Sequence, residues 1–465
     1  MKKLQTSATS ASSAISETSE MSAPSAPSAT SSTSLSSAAA TTTSASIGGK
    51  VLHWVDDRFP LSKMYQEHLG QYYAPKNFNL WYYFGSLALL ILVMQIVTGI
   101  FLTMNYKTDA KFAFASVEYI MRDVSAGWLI RYMHSTGASM FFVGVYLHMM
   151  RGLMYGSYKK PRELLWVFGC MIYLALMAEA FFGYLLPWGQ MSYWGAQVII
   201  NLFGAIPFIG EDLAVWIRGD YNIGDATLNR FFAFHVIAIP MVLLGLVAAH
   251  LTALHEVGSN NPDGIEIKDN IDPADGHPRD GIPFHPYYTV KDLVGVVVFL
   301  AVFTSIIFFA PEMGGYFLEA ANFIPADPLK TPAHIAPVWY FTPFYAMLRA
   351  VPSMFGSQFP GVAVMGGATL ILFTLPWLDR GKVRSVRYRG PIYKAFLTSF
   401  VVSFLVLGYL GVVPTTVWGQ VSLMGKIDVA TLVARCLTVV YFSFFILMPW
   451  YTKIDKEKPE PLKLT

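Results

Sequence analysis

The sequence predicts an all-α, polytopic membrane protein with eight transmembrane helices, the first four forming a bundle. Three observations lead there. Hydrophobic residues make up 54% of the 465 and charged residues only 14%, a balance too apolar for an ordinary soluble domain. Eight separate apolar runs reach the roughly 18 residues a bilayer requires. Two of those runs also carry a pair of histidines each, which a simple anchor has no reason to hold.

Taken in order, residues 1–48 are Ser, Thr and Ala repeated with almost no large apolar side chain, a composition that cannot offset its own ordering entropy and predicts a disordered tail. The apolar runs follow at 81–104, 129–150, 164–186, 230–253, 292–310, 361–379, 395–413 and 431–450. Residues 49–260 thus form an N-terminal four-helix bundle, and 261–465 a C-terminal four-helix part with a long aromatic loop. Between the second and third runs lie Arg151, Lys159, Lys160 and Arg162, and between the sixth and seventh Arg380, Lys382, Arg384, Arg387, Arg389 and Lys394. The positive-inside rule puts these loops and both termini in the cytoplasm. A net charge of +3 without a basic stripe gives no reason to expect nucleic acid. Cys170 and Cys436 fall inside spans and no C-x-x-C-H stretch occurs, so neither a disulfide nor covalent haem is expected.

His134 and His148 stand 14 residues apart in the second run, and His235 and His250 stand 15 apart in the fourth. At about 100° and about 1.5 Å per residue, each pair shares a helix face at two depths about 21 Å apart. Both runs cross in the same direction, so His134 pairs in depth with His235 and His148 with His250. Two bis-imidazole sites then stack across the membrane, and imidazole is a usual axial ligand of b-type haem. A single intramembrane histidine would serve equally as a packing residue or a proton relay; four in register suit ligation better.

Gly85 and Gly99 in the first run and Gly169 and Gly183 in the third repeat the same 14-residue interval. Lacking a Cβ, they allow a flat ring close to the backbone, although helix packing also uses glycine. Arg131 and Arg151 each lie three residues outside a histidine, placed for haem propionates or for snorkelling to the membrane edge.

The stretches "RYMHSTGASMFF", "LHMMRG", "GYLLPWGQMSYWGA", "RFFAFHVIAIP", "HEVGSNNP" and "FHPYYTVKD" resemble, in that order, cytochrome b of bacterial respiratory cytochrome bc complexes. The resemblance runs over nearly all of residues 50–450. It implies a core subunit of quinol:cytochrome c oxidoreductase in the bacterial inner membrane, with two non-covalent b haems, low-potential on the outer side and high-potential on the inner. It also implies quinol oxidation at an outer site, quinone reduction at an inner site, proton translocation by the Q cycle, a Rieske-type iron-sulfur protein and a cytochrome c-type subunit as partners, and a homodimeric complex. The family's inner quinone site matches His255, Ser259 and Asp292. At the outer site Gly195, Pro337, Trp339, Tyr340 and Tyr345 match pocket positions, though the tyrosines would also suit membrane-interface anchoring.

The chain departs from the family at Val338, where a glutamate usually stands as acceptor of a quinol proton. Glu179, an ionisable residue inside the third run, is a candidate to take over part of that task; the alternative is that it hydrogen-bonds a neighbouring helix in its neutral form. The interval from His235 to His250 is also one residue longer than in mitochondrial-type relatives, which calls for a local bulge near Pro240. Two rival readings are a two-haem dehydrogenase anchor, which has no use for two quinone sites, and an ion-coupled transporter with a histidine proton relay, which has none for the histidine register.

Overall fold

In the computed structural model the chain is described for residues 46–354, 356–422 and 426–464, apart from the side chains of residues 68 and 69. It divides into two units at Leu61 and Ser62. In the first, Ser46 accepts from the Gly49 backbone N–H at 3.2 Å and caps a helix over Ile47–Asp56. The expected tail, 1–48, otherwise lies outside the described residues.

The second unit, Ser62–Thr465, holds the long helices. They are α1 Tyr83–Thr103, α2 Gly127–Tyr155, α3 Glu163–Leu185, α4 Asp225–Val257, α5 Phe284–Phe309, α6 Phe359–Leu378, α7 Pro391–Val412 and α8 Val429–Ile446. All but α2 are long and apolar enough to cross a membrane. At 29 residues α2 is the longest unbroken α-helix of the eight, but two arginines, two histidines and four glycines dilute its apolar character. The chain is a multi-pass membrane protein. Its helices match the eight expected runs, most clearly displaced at α5, which starts at Phe284 because the polar, aromatic stretch "FHPYYTVK" is itself helical, with Pro286 in the first turn where no donor is lost.

Helix α1 packs along α2, and α3 along α4, while direct packing between these two pairs is slight. A slot therefore runs down the bundle between α1/α2 and α3/α4. Helix α5 packs on α1 and α2, while α6, α7 and α8 build a second cluster in which a short helix, Thr342–Ala350, packs on all three. One hydrophobic core runs through both halves, from Leu87 and Phe142 to Tyr441 and Phe445. The division expected at residue 260 is thus not a break in packing.

At one end the basic loops come together. Arg162 grips Glu266 at 2.5 and 2.8 Å, Arg384 reaches the same carboxylate at 2.9 Å, and Arg387 reaches Asp263 at 2.8 Å. Asp379, wholly buried, receives Arg389 at 2.5 Å and Lys159 at 3.2 Å. Burial would raise the Asp379 pKa, but these two cations hold its carboxyl below the usual range. Gly156 closes α2 in the left-handed conformation (φ 66°), and a Cβ there would lie 2.7 Å from the Arg384 carbonyl oxygen, so glycine is required twice over. A short ladder, β1 Tyr73–Pro75 on β2 Gly281–Pro283, belongs to the same end.

Within α4 the α-helical bonding gives way to a π turn at Phe234–Ala238, just ahead of Pro240. Such a turn absorbs one residue. The 15-residue step from His235 to His250 then rotates like 14 residues, and at about 100° each both histidine pairs fall about 40° short of whole turns. The bulge that the longer interval demanded is this turn, and His235 is part of it.

Candidate functional site

The four histidines meet across the slot in the expected combinations. The rings of His134 and His235 have their centres 6.1 Å apart, and those of His148 and His250 6.3 Å apart. With a metal–imidazole nitrogen bond of about 2.0 Å and roughly 1.1 Å more to the ring centre, two imidazoles that held one metal ion between them would stand about 6 Å apart. Both spacings fit one iron between each pair.

Each histidine is backed by one of the glycines. A Cβ on Gly99 would lie 3.3 Å from His134, on Gly85 3.1 Å from His148, and on Gly169 3.4 Å from His250; on Gly183 it would fall inside the His235 ring's contact distance. The glycines of α1 thus make room for the imidazoles of α2, and those of α3 for α4.

Hydrogen bonds fix the His134 and His235 rings. Thr98 gives its own hydroxyl proton to the Met94 carbonyl (2.7 Å), so at 2.9 Å its oxygen accepts from His134 Nδ1. His235 Nδ1 lies 3.0 Å from the Glu179 backbone oxygen and 3.1 Å from Glu179 Oε1, both acceptors. With Nδ1 protonated in each case, Nε2 is left as the metal-binding nitrogen. Gln95, which sequence reasoning missed along with Thr98, donates to the His134 carbonyl at 3.0 Å. Arg151 stands 3.4 Å from His148 Nδ1 and over the Tyr82 ring, and neither it nor Arg131 has a carboxylate partner among the described residues.

The contact made by the Glu179 carboxylate is with His235. Only Oε1 makes that contact; Oε2 is buried without a hydrogen-bond partner among the described residues. In that turn Val338 and Tyr340 are buried, Tyr340 stacks on Phe142 at 3.9 Å, and Trp339 donates to Ser139 at 3.1 Å. Tyr345 lies on the following helix under Arg349. Gly195 faces Tyr184, whose ring would be 3.5 Å from a Cβ there. The loop ahead of the turn is tied to the "PWGQMSYWGA" segment: Gln190 N–H donates to the Ile324 carbonyl, Ala326 N–H to the Trp188 carbonyl, and Ser192 N–H to Asn322 Oδ1.

At the basic end, Tyr72 joins two of the expected quinone residues. Its ring centre is 4.9 Å from that of His255 and its hydroxyl 3.5 Å from Ser259 Oγ. Tyr72 also packs on Phe284, at the start of α5, where Asp292 sits two turns further on and faces Ser86 of α1.

Two family models match the chain, "Cytochrome b/b6/petB" over residues 69–258 and "Cytochrome b(C-terminal)/b6/petD" over 325–442. The chain belongs to the cytochrome b family. It is 65% identical to cytochrome b of Allochromatium vinosum over 417 residues, covering 89% of this chain and 98% of that one. With cytochrome b of Rhodospirillum rubrum it shares 49% identity over 417 residues, 90% of this chain and 96% of the other. Among solved structures, a chain of a hyperthermophilic respiratory Complex III superimposes with a TM-score of 0.77 at 37% identity, over 87% of this chain and 99% of that one. Membership makes this a haem-b-binding core subunit of quinol:cytochrome c oxidoreductase, an enzyme that couples quinol oxidation to proton translocation.

Proposed function

We propose that the slot holds two b haems, a low-potential one between His134 and His235 and a high-potential one between His148 and His250. The ring-centre spacings of 6.1 and 6.3 Å carry this reading. Haem b supplies one-electron relay between the two sides of the membrane. The imidazoles hold iron through Nε2, the four glycines keep the rings' flanks clear, Thr98 and Glu179 hold two of the rings in the ligating tautomer, and Arg131 and Arg151 neutralise propionates.

Quinol is oxidised in the pocket of Gly195, Pro337, Trp339, Tyr340 and Tyr345, and quinone is reduced beside His255, Ser259 and Asp292. The small side of Gly195 admits the ring and the aromatics of the Pro337–Tyr340 turn flank it. His255 and Asp292 stand as proton donors for the two protons a quinone takes up on reduction. A Rieske-type iron-sulfur protein accepts one quinol electron and passes it to a cytochrome c-type subunit. The complex is a homodimer in the bacterial inner membrane, with both termini and the basic loops in the cytoplasm.

The test is haem quantification with a redox-titrated optical spectrum on the chain purified with its partners. Two b haems per chain with separate midpoints are expected, and His134→Ala and His148→Ala each remove a different one. A single haem, or the same midpoint lost in both variants, refutes the assignment.

A further inference from the structure

Without a carboxylate at Val338, the outer pocket needs another group to take a proton from quinol. Resting on the two-site reading above, we propose that Glu319 is that group, receiving the proton directly from the quinol hydroxyl.

Glu319 lies between the two halves of the pocket. On one side the Tyr184 hydroxyl, beside Gly195, donates to Glu319 Oε2 at 3.0 Å, and Asn322 Nδ2 donates to the same oxygen at 3.1 Å. On the other side Phe317, two residues earlier, stacks with Trp339 at 6.4 Å between ring centres. Tyr184 from α3 and Tyr340 from the Trp339–Phe341 turn are the titratable groups that face it, and each is close enough to interact with its charge. The carboxylate is held in place through Asn322, whose Oδ1 accepts from the Ser192 backbone at 2.8 Å and whose Nδ2 also reaches the Tyr184 hydroxyl at 3.0 Å. The same loop surfaces at Met313 and Tyr316, both exposed. Burial pushes the Glu319 carboxyl above its usual range, and an acceptor is most effective when its pKa approaches the working pH.

In the step, one quinol O–H bond breaks and an O–H bond forms on a Glu319 oxygen, while the hydroxyl at the other end of the ring loses its proton along with the electron that passes to the iron-sulfur partner, so that neutral quinone is left. The two electrons leave to the oxidants of the established reaction, the haem and the iron-sulfur partner. Glu319 then turns outward and releases the proton to water.

The experiment compares Glu319→Gln and Glu319→Asp with the unmodified chain in the intact complex, with the inner site blocked, reading haem reduction after rapid mixing with quinol from pH 5 to 9. Glutamine still accepts from Tyr184 and Asn322, so a merely structural role is kept. The expected result is haem reduction at least about tenfold slower in Glu319→Gln, with the acid limb of the pH profile lost. Glu319→Asp recovers that limb, the haem spectra stay unchanged, and so does inner-site quinone reduction in a separate assay with that site free. An unaltered rate and pH profile in Glu319→Gln overturns the assignment of Glu319 alone. If the unmodified complex fails to reduce haem from quinol, the two-site reading falls and takes the assignment with it.

Discussion

Substituting Gly183 by alanine tests the slot by filling it with a single methyl group. The new Cβ would lie 2.7 Å from His235 Nδ1 and 2.9 Å from Nε2. The ring's Cε1 would be nearer still; ordinary carbon contacts begin near 3.4 Å, so the imidazole has to retreat by about 1 Å, whereas a metal–nitrogen distance tolerates only about 0.2 Å. Overpacking of this kind costs about 1–3 kcal/mol, and the site can shed that cost by releasing its iron. The matched control is Gly169→Ala on the same helix, where the Cβ meets His250 Cε1 at an ordinary 3.4 Å. Haem per chain and a redox titration are the assay. Gly183→Ala is expected to lose the haem of His134 and His235, or to shift its midpoint, while the other haem keeps its own; Gly169→Ala keeps both. Two haems with unshifted midpoints in Gly183→Ala, or equal loss in Gly169→Ala, would refute the idea that these glycines exist to clear the imidazoles.

Glu179→Gln replaces the carboxylate 3.1 Å from His235 Nδ1 by a neutral acceptor; the outer midpoint should rise by on the order of 50 mV, close to tenfold in a one-electron equilibrium, with the quinol-oxidation pH profile unchanged, as a potentiometric titration beside the kinetics will reveal. Asp292→Asn should slow quinone reduction at the inner site by at least about tenfold without loss of haem, measured as haem reoxidation by added quinone. Asp379→Asn leaves Arg389 and Lys159 without the charge they face, a loss of about 3–5 kcal/mol for a broken buried pair, visible as a lowered thermal midpoint in detergent. In the unmodified chain the Asp379 pKa is depressed in the folded state, so its contribution is present above the unfolded value near about 3.9 and fades only as pH falls below about 4. Thermal midpoints above that window should therefore not respond to this group.

Much of this architecture was legible because a bilayer makes the sequence report on it directly. Runs of apolar residues mark the spans, and the intervals between His134, His148, Gly85 and Gly99 translate into angle and depth through the helix repeat alone. The longer His235–His250 interval even announced a bulge, found at Phe234–Ala238. Contacts that depend on folding across loops were not legible. Glu319 sits in a stretch with no periodicity, and only the bonds between 317–330 and 188–194 bring it to Tyr184. Tyr72 precedes the first span and meets His255 at the end of the fourth, a separation no local pattern encodes. Glu179 was singled out correctly as an ionisable group inside a span, but its partner was not readable, because the side chain's direction depends on how α3 packs against α4.

The slight packing between α1/α2 and α3/α4 also bears on how the subunit is made. Two hairpins that barely touch have little reason to stay together after insertion, and α4 in particular keeps Ile237, Met241, Val242 and Leu244 exposed. Cofactor would then be the mortar of this half of the protein, binding only the assembled form and so stabilising it by mass action. Cells short of haem should insert the chain into the membrane but lose it to proteolysis, so the supply of porphyrin would set how much of the complex is built.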